Sequence, residues 1–142
     1  MGMFGKWFGG AQEYPPLPAD NDAMAKLDEM RAQLEELAAK VNDHLEVVPA
    51  EHEAYVYLGK PPKRFGIAWI HDGKLDGIKE LVEEHNLSQA DAQKMIGSLG
   101  DAYEGAIDEP RYSAELAGKT VVVIPSRELG REVHKIMERA IQ

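Results

Sequence analysis

Between Asp22 and about Asn42, apolar residues fall at steps of three and four: Met24, Leu27, Met30, Leu34, Leu37 and Val41. That spacing puts them on one stripe of a helix, with Asp28, Glu29, Arg31, Glu35, Glu36 and Lys40 on the other faces. Glu36 and Lys40 stand four apart in the favourable order for a helical ion pair. The stripe is short for an independent coiled coil. It is read as packing on the chain's own sheet, with pairing to a second copy as the alternative.

The pattern then turns strand-like. Ala54–Leu58 and Phe65–Ile70 are rich in aromatic and β-branched residues and predict a hairpin. Pro61 and Pro62 keep the intervening Gly59–Arg64 segment out of strand. His71-Asp72-Gly73 closes the second strand, and Leu75, Ile78, Leu81 and Val82 suggest a helix after it. Ser88-Gln89-Ala90-Asp91 has the form of a capped helix start. Ala92, Met95, Ile96, Leu99, Ala102, Tyr103, Ala106 and Ile107 recur on one face of that helix. Gly97, Gly100 and Gly105 each cost about 1 kcal/mol relative to alanine there, so tertiary packing must hold the helix or it breaks near Gly100. A second hairpin runs from Tyr112 to Leu116 and from Thr120 to Ile124, turning at Ala117-Gly118-Lys119. Ser126 then caps a last helix with a stripe of Leu129, Val133, Ile136, Met137 and Ile141.

Taken in order, these elements predict an α+β fold: an N-terminal helix, then two ββα units joined by a helix. The simplest burial scheme is a four-stranded, mainly antiparallel sheet with the helices packed on one face. Residues 1–21 read as an extended arm rich in aromatics and prolines, and residues 22–142 as a single domain.

Composition narrows the function classes. The chain has 142 residues, 44% of them hydrophobic and 29% charged, a globular balance. It has no cysteine, which removes disulfides, thiolate nucleophiles and cysteine-ligated metals and fits the reducing cytoplasm expected as its location. The net charge of −9 opposes nucleic acid and anionic lipid. Residues 74–109 are the most acidic stretch, with nine acids against three lysines and no arginine.

Candidate chemistry is sparse. Ala117-Gly118-Lys119-Thr120 lacks both the upstream glycine and the following helix of a phosphate-binding loop. The five histidines show no metal-ligand spacing beyond His134 and Glu138 at i,i+4, and neither a metal nor a cofactor is expected. His71 and Asp72, where a strand is expected to meet a helix, are the weak catalytic candidates of an alternative reading as a small enzyme. Residues 78–124 resemble a winged helix-turn-helix in order of elements, giving a second alternative as a regulator, but offer only Gln89, Gln93 and Lys94 as base or phosphate contacts.

The remaining features point to protein binding. Phe4, Trp7 and Phe8 crowd the head of the chain, followed by Tyr14, Pro15, Pro16, Leu17 and Pro18. Burying three such rings yields roughly 1.5–3 kcal/mol each. Fixing their backbone costs about 1–2 kcal/mol per residue. The rings therefore need a preformed groove or a second attachment point. Lys60, Lys63 and Arg64 form the one dense basic cluster. The expected function is a non-enzymatic accessory or adaptor protein. Its partner is another protein or a second copy in a homodimer, and peripheral membrane contact through the head is the lesser alternative.

Overall fold

The computed structural model describes residues 14–141. Helices α1 (Asp22–Glu29) and α2 (Arg31–Lys40) lead into strands β1 (Leu45–Ala50), β2 (Glu53–Lys60), β3 (Arg64–His71) and β4 (Lys74–Gly77). Helices α3 (Ile78–His85) and α4 (Gln89–Gly105) follow, then β5 (Tyr112–Leu116), β6 (Lys119–Val123) and α5 (Arg127–Ile141). The six strands form one mixed sheet in the order β4-β3-β2-β1-β6-β5. Every neighbouring pair is antiparallel except β1 and β6.

The α+β class matches the sequence, but three details are corrected. The sheet has six strands where four were expected, because β1 and β4 were not legible. Strand β1 carries Pro49, ordinarily a strand breaker, at a point where β6 has already ended opposite Val47, so its missing N–H interrupts little. Strand β4 hid in a helical spacing: Leu75 sits in the strand rather than in α3. The first hairpin–helix unit is therefore a four-stranded meander, not ββα.

Helices also cover both faces of the sheet rather than one. On one side Leu27, Met30, Leu34 and Leu37 pack on Val47, Val56, Ile70 and Val121. On the other, Leu81, Met95, Leu99, Tyr103, Val133 and Met137 pack on Tyr55, Tyr57, Ile67 and Val122. A sheet buried on both faces explains the consecutive apolar residues Val47–Val48 in β1 and Val121–Val123 in β6. The N-terminal helix is in fact two helices, parted at Met30 (φ −100°, ψ 9°), and its stripe is buried against the chain's own sheet.

The helix caps form as expected. Ser88 Oγ accepts from Asp91 N at 3.0 Å and Ser126 Oγ from Leu129 N at 3.1 Å. Helix α4 continues through Gly100, and the reason is steric. A Cβ there would lie 2.8 Å from the carbonyl oxygen of Pro62, so the glycine lets the β2–β3 turn lie against the helix.

Candidate protein-binding surface

The arm attaches to the edge of the sheet. Leu17 N donates to Ser113 O (2.9 Å) and Ser113 N donates to Pro15 O (2.8 Å), a parallel bridge that seats Pro16 opposite Ser113 on β5. Residues 15 and 17 thus turn their polar groups toward β5, while Pro16 faces outward with no N–H to offer a further strand. Leu17 is 5% exposed and belongs to the core beneath α1 and α2, whereas Tyr14 packs against the core on the opposite face. Pro18 is exposed. Of the arm residues expected to meet a partner, Leu17 is therefore occupied within the chain itself. Phe4, Trp7 and Phe8 lie outside the described residues.

The basic cluster sits at the β2–β3 turn, whose Pro61-Pro62 bond is cis. Lys60, Lys63 and Arg64 are exposed there and form no ion pair among the described residues.

His71 and Asp72 stand at a hairpin turn, not at a strand-to-helix junction. Asp72 (φ 51°) and Gly73 (φ 73°) both adopt left-handed conformations, as a tight two-residue β-turn requires, and β4 returns along β3. The His71 ring stacks on Trp69 with centroids 3.7 Å apart. Its Nε2 lies 2.9 Å from Asp76 Oδ2 and its Nδ1 3.5 Å from Asp72 Oδ2. A carboxylate oxygen thus lies near each ring nitrogen, the closer being that of Asp76. Asp76 is 6% exposed and was missed because the sequence pattern put it in a helix.

A second polar cluster ties α5 to the sheet. His134 Nδ1 lies 2.9 Å from the Tyr55 hydroxyl and 3.2 Å from Glu53 Oε2, and its Nε2 lies 3.3 Å from Glu138. Glu53 also accepts from Trp69 Nε1 at 2.9 Å. Burial, followed by the hydrogen bond to Glu53, pushes the Tyr55 hydroxyl far above its ordinary pKa. Among the described residues, no group of three or more metal-ligating side chains is arranged to hold a metal ion.

Between α4 and α5 runs a groove of about 500 Å³, floored by Ala102, Ala106, Leu129 and Ile136 and rimmed by Asp101, Glu109, Glu128 and Glu132. Arg139 is its one cationic lining residue. None of the four rim carboxylates takes part in an ion pair among the described residues. Ile107, next to the floor residue Ala106, is 58% exposed and is the only large hydrophobic residue so exposed among those described. The sequence did not reveal this groove, because its two walls lie far apart in the chain and meet only through the sheet. Helix α4 ends beside it under Arg111, whose Nη1 donates to the carbonyls of Ala106, Ile107 and Glu109 at 3.0–3.2 Å.

Comparison with protein-family models, curated proteins and solved structures found no match. No described helix is long and apolar enough to cross a membrane.

Proposed function

We propose that the chain is a non-enzymatic adaptor that holds a protein partner through its N-terminal arm and α+β body. The observation that supports this reading is the arm's fixed root. Pro15 and Leu17 are hydrogen-bonded to Ser113, so the aromatic head begins from a set point on the body rather than from a loose end. Three rings alone do not offset the ordering of their backbone. A pinned root supplies the second attachment point they need, because it makes their contact with a nearby surface partly intramolecular. Two polar clusters add support from the other side. Both nitrogens of His71 and of His134 face hydrogen-bonding or charged neighbours, an arrangement suited to holding the fold. The hairpin that would serve as a wing in a DNA-binding reading is joined to β1 within the sheet.

The test is a photo-reactive amino acid at position 7 of the full chain, irradiated in cell extract. The expected result is a discrete cross-linked protein, competed by unlabelled chain and lost with Phe4→Ala/Phe8→Ala. Adducts that are diffuse, or that unlabelled chain does not compete, would overturn the reading. The cytoplasm is the compartment we propose, on the absence of cysteine.

A further inference from the structure

We propose that His134 and Glu138 form a two-residue chelate on α5 for a divalent transition-metal ion of the Zn²⁺ class.

The hydrogen bonds behind the His134 ring decide which nitrogen carries its proton. Burial raises the Tyr55 hydroxyl far above its ordinary pKa, so it keeps its hydrogen. That hydrogen is donated to Glu53 Oε1, which also accepts from Trp69 Nε1. Two acceptors are left facing His134 Nδ1: the Tyr55 oxygen at 2.9 Å and Glu53 Oε2 at 3.2 Å. Nδ1 is therefore the donor. In the neutral ring the proton sits there, and Nε2 presents a bare lone pair. Nε2 lies 3.3 Å from Glu138 Oε1, so two acceptors face each other. A cation between them turns that contact into an attraction.

The spacing suits a metal ion. Imidazole and carboxylate ligands lie about 2.0–2.2 Å from Zn²⁺, which on a tetrahedral ion puts two of them about 3.3–3.4 Å apart. Positions 134 and 138 share a helix face at i,i+4, so the backbone of α5 already holds the pair together. An imidazole that binds metal ordinarily gives its other N–H to a carboxylate or another acceptor, which orients the ring and raises its basicity. Glu53 and Tyr55 fill that place here as positioning residues.

Exposure is graded in the sense a site needs. The Glu53 side chain is 17% exposed, while His134 is 40% and Glu138 58%, so the support is sheltered and the chelating atoms reach solvent. Imidazole with carboxylate suits Zn²⁺, Cu²⁺ or Ni²⁺ rather than the all-oxygen shells of Ca²⁺ and Mg²⁺. No third imidazole or carboxylate among the described residues completes the set, so water takes the remaining positions.

The chelate stands apart from the adaptor reading, because it is measured on the purified full chain with Zn²⁺ alone and its failure leaves the cross-linking result untouched. Nitrogen-15 NMR of the imidazoles should find neutral His134 with its proton on Nδ1. Added Zn²⁺ should shift the His134 signals before those of His44, His52, His71 and His85. Glu138→Ala, at an exposed helix position, should raise the Zn²⁺ concentration for half of that shift at least tenfold. An unchanged amide spectrum elsewhere certifies that this variant is folded. A proton on Nε2 of the neutral ring would overturn the proposal. So would equal Zn²⁺ affinity in Glu138→Ala, or a His134 response no stronger than that of exposed His52, which would mark adventitious surface binding only.

Discussion

The Tyr103 hydroxyl lies 2.8 Å and 2.9 Å from the two carboxylate oxygens of Glu46, joining α4 to the central strand across 57 residues of sequence. Glu46 is 6% exposed, and His44 Nε2 stands 3.3 Å from its second oxygen. Arg111 approaches from the other side, with Nε 3.8 Å from the carboxylate and its guanidinium 5.3 Å from the centre of the Tyr103 ring. Tyr103→Phe removes the shortest bond to a buried carboxylate while keeping the ring. It should cost about 1–3 kcal/mol in urea denaturation. Adding Glu46→Gln should show a coupling of at least about 0.5 kcal/mol between the two sites.

Alkaline stability should depend on the same residues. Burial first, then the Glu46 charge, raises the pKa of Tyr103. Burial first also raises that of Tyr57, whose hydroxyl donates to Leu99 O at 2.8 Å, and that of Tyr55. A tyrosine whose pKa is higher folded than unfolded keeps its proton longer in the native state. Its contribution is complete below the unfolded value of about 10 and is lost as pH rises beyond it toward the folded value. Denaturation midpoints measured from pH 8 to 11.5 should therefore fall above about pH 10. Tyr57→Phe and Tyr103→Phe should each make that fall shallower.

At His52 the hydrogen bond and charge of Glu29, 2.9 Å away, raise the imidazole pKa above its ordinary value. The contact favours the folded state below the unfolded value of about 6.5 and fades as pH rises through the folded one. NMR titration of the imidazole should show the raised pKa, and Glu29→Gln should return it toward the ordinary value.

Two glycines of α4 should respond in opposite senses to alanine. At Gly97 a Cβ meets nothing within 4 Å, so Gly97→Ala should gain up to about 1 kcal/mol from helix propensity. At Gly100 the added carbon meets backbone, the Pro62 carbonyl oxygen at 2.8 Å, and the strain should exceed that gain, for a net loss of about 1–3 kcal/mol. Thermal melts of the two variants beside the parent chain decide the matter.

How far the fold was legible depended on whether a signal was local. The stripe of Leu27, Met30, Leu34 and Leu37 and the caps at Ser88 and Ser126 announce themselves within a turn or two of helix. Strand β1 did not, because with Glu46 and Pro49 among its six residues neither an alternation nor an apolar run marks it. Leu75 was misplaced because a helical stripe and the last inward residue of a strand differ little over four positions. The seat of residues 15–17 on Ser113 was not legible, since nothing in Pro15–Pro18 names the strand it joins. The groove was the least legible feature, as Asp101 and Glu132 become neighbours only once α4 and α5 pack on the same face.

The seat of the arm is open to a direct check. Leu17→Ala should lower stability by about 2–5 kcal/mol, the cost of a cavity in the core beneath α1 and α2. Chemical denaturation of that variant, beside a chain beginning at Tyr14 that retains the seat, measures it.

Pro16 also acts as a stopper for the sheet. It lies along the β5 margin with a ring where a neighbour would look for a donor, and the main-chain groups of Ser113 behind it are already engaged. A chain cut at Ala19 would uncover those groups on an otherwise well-formed edge strand. Its characteristic failure in concentrated solution would then be strand-by-strand polymerisation, with each molecule borrowing the margin of the next.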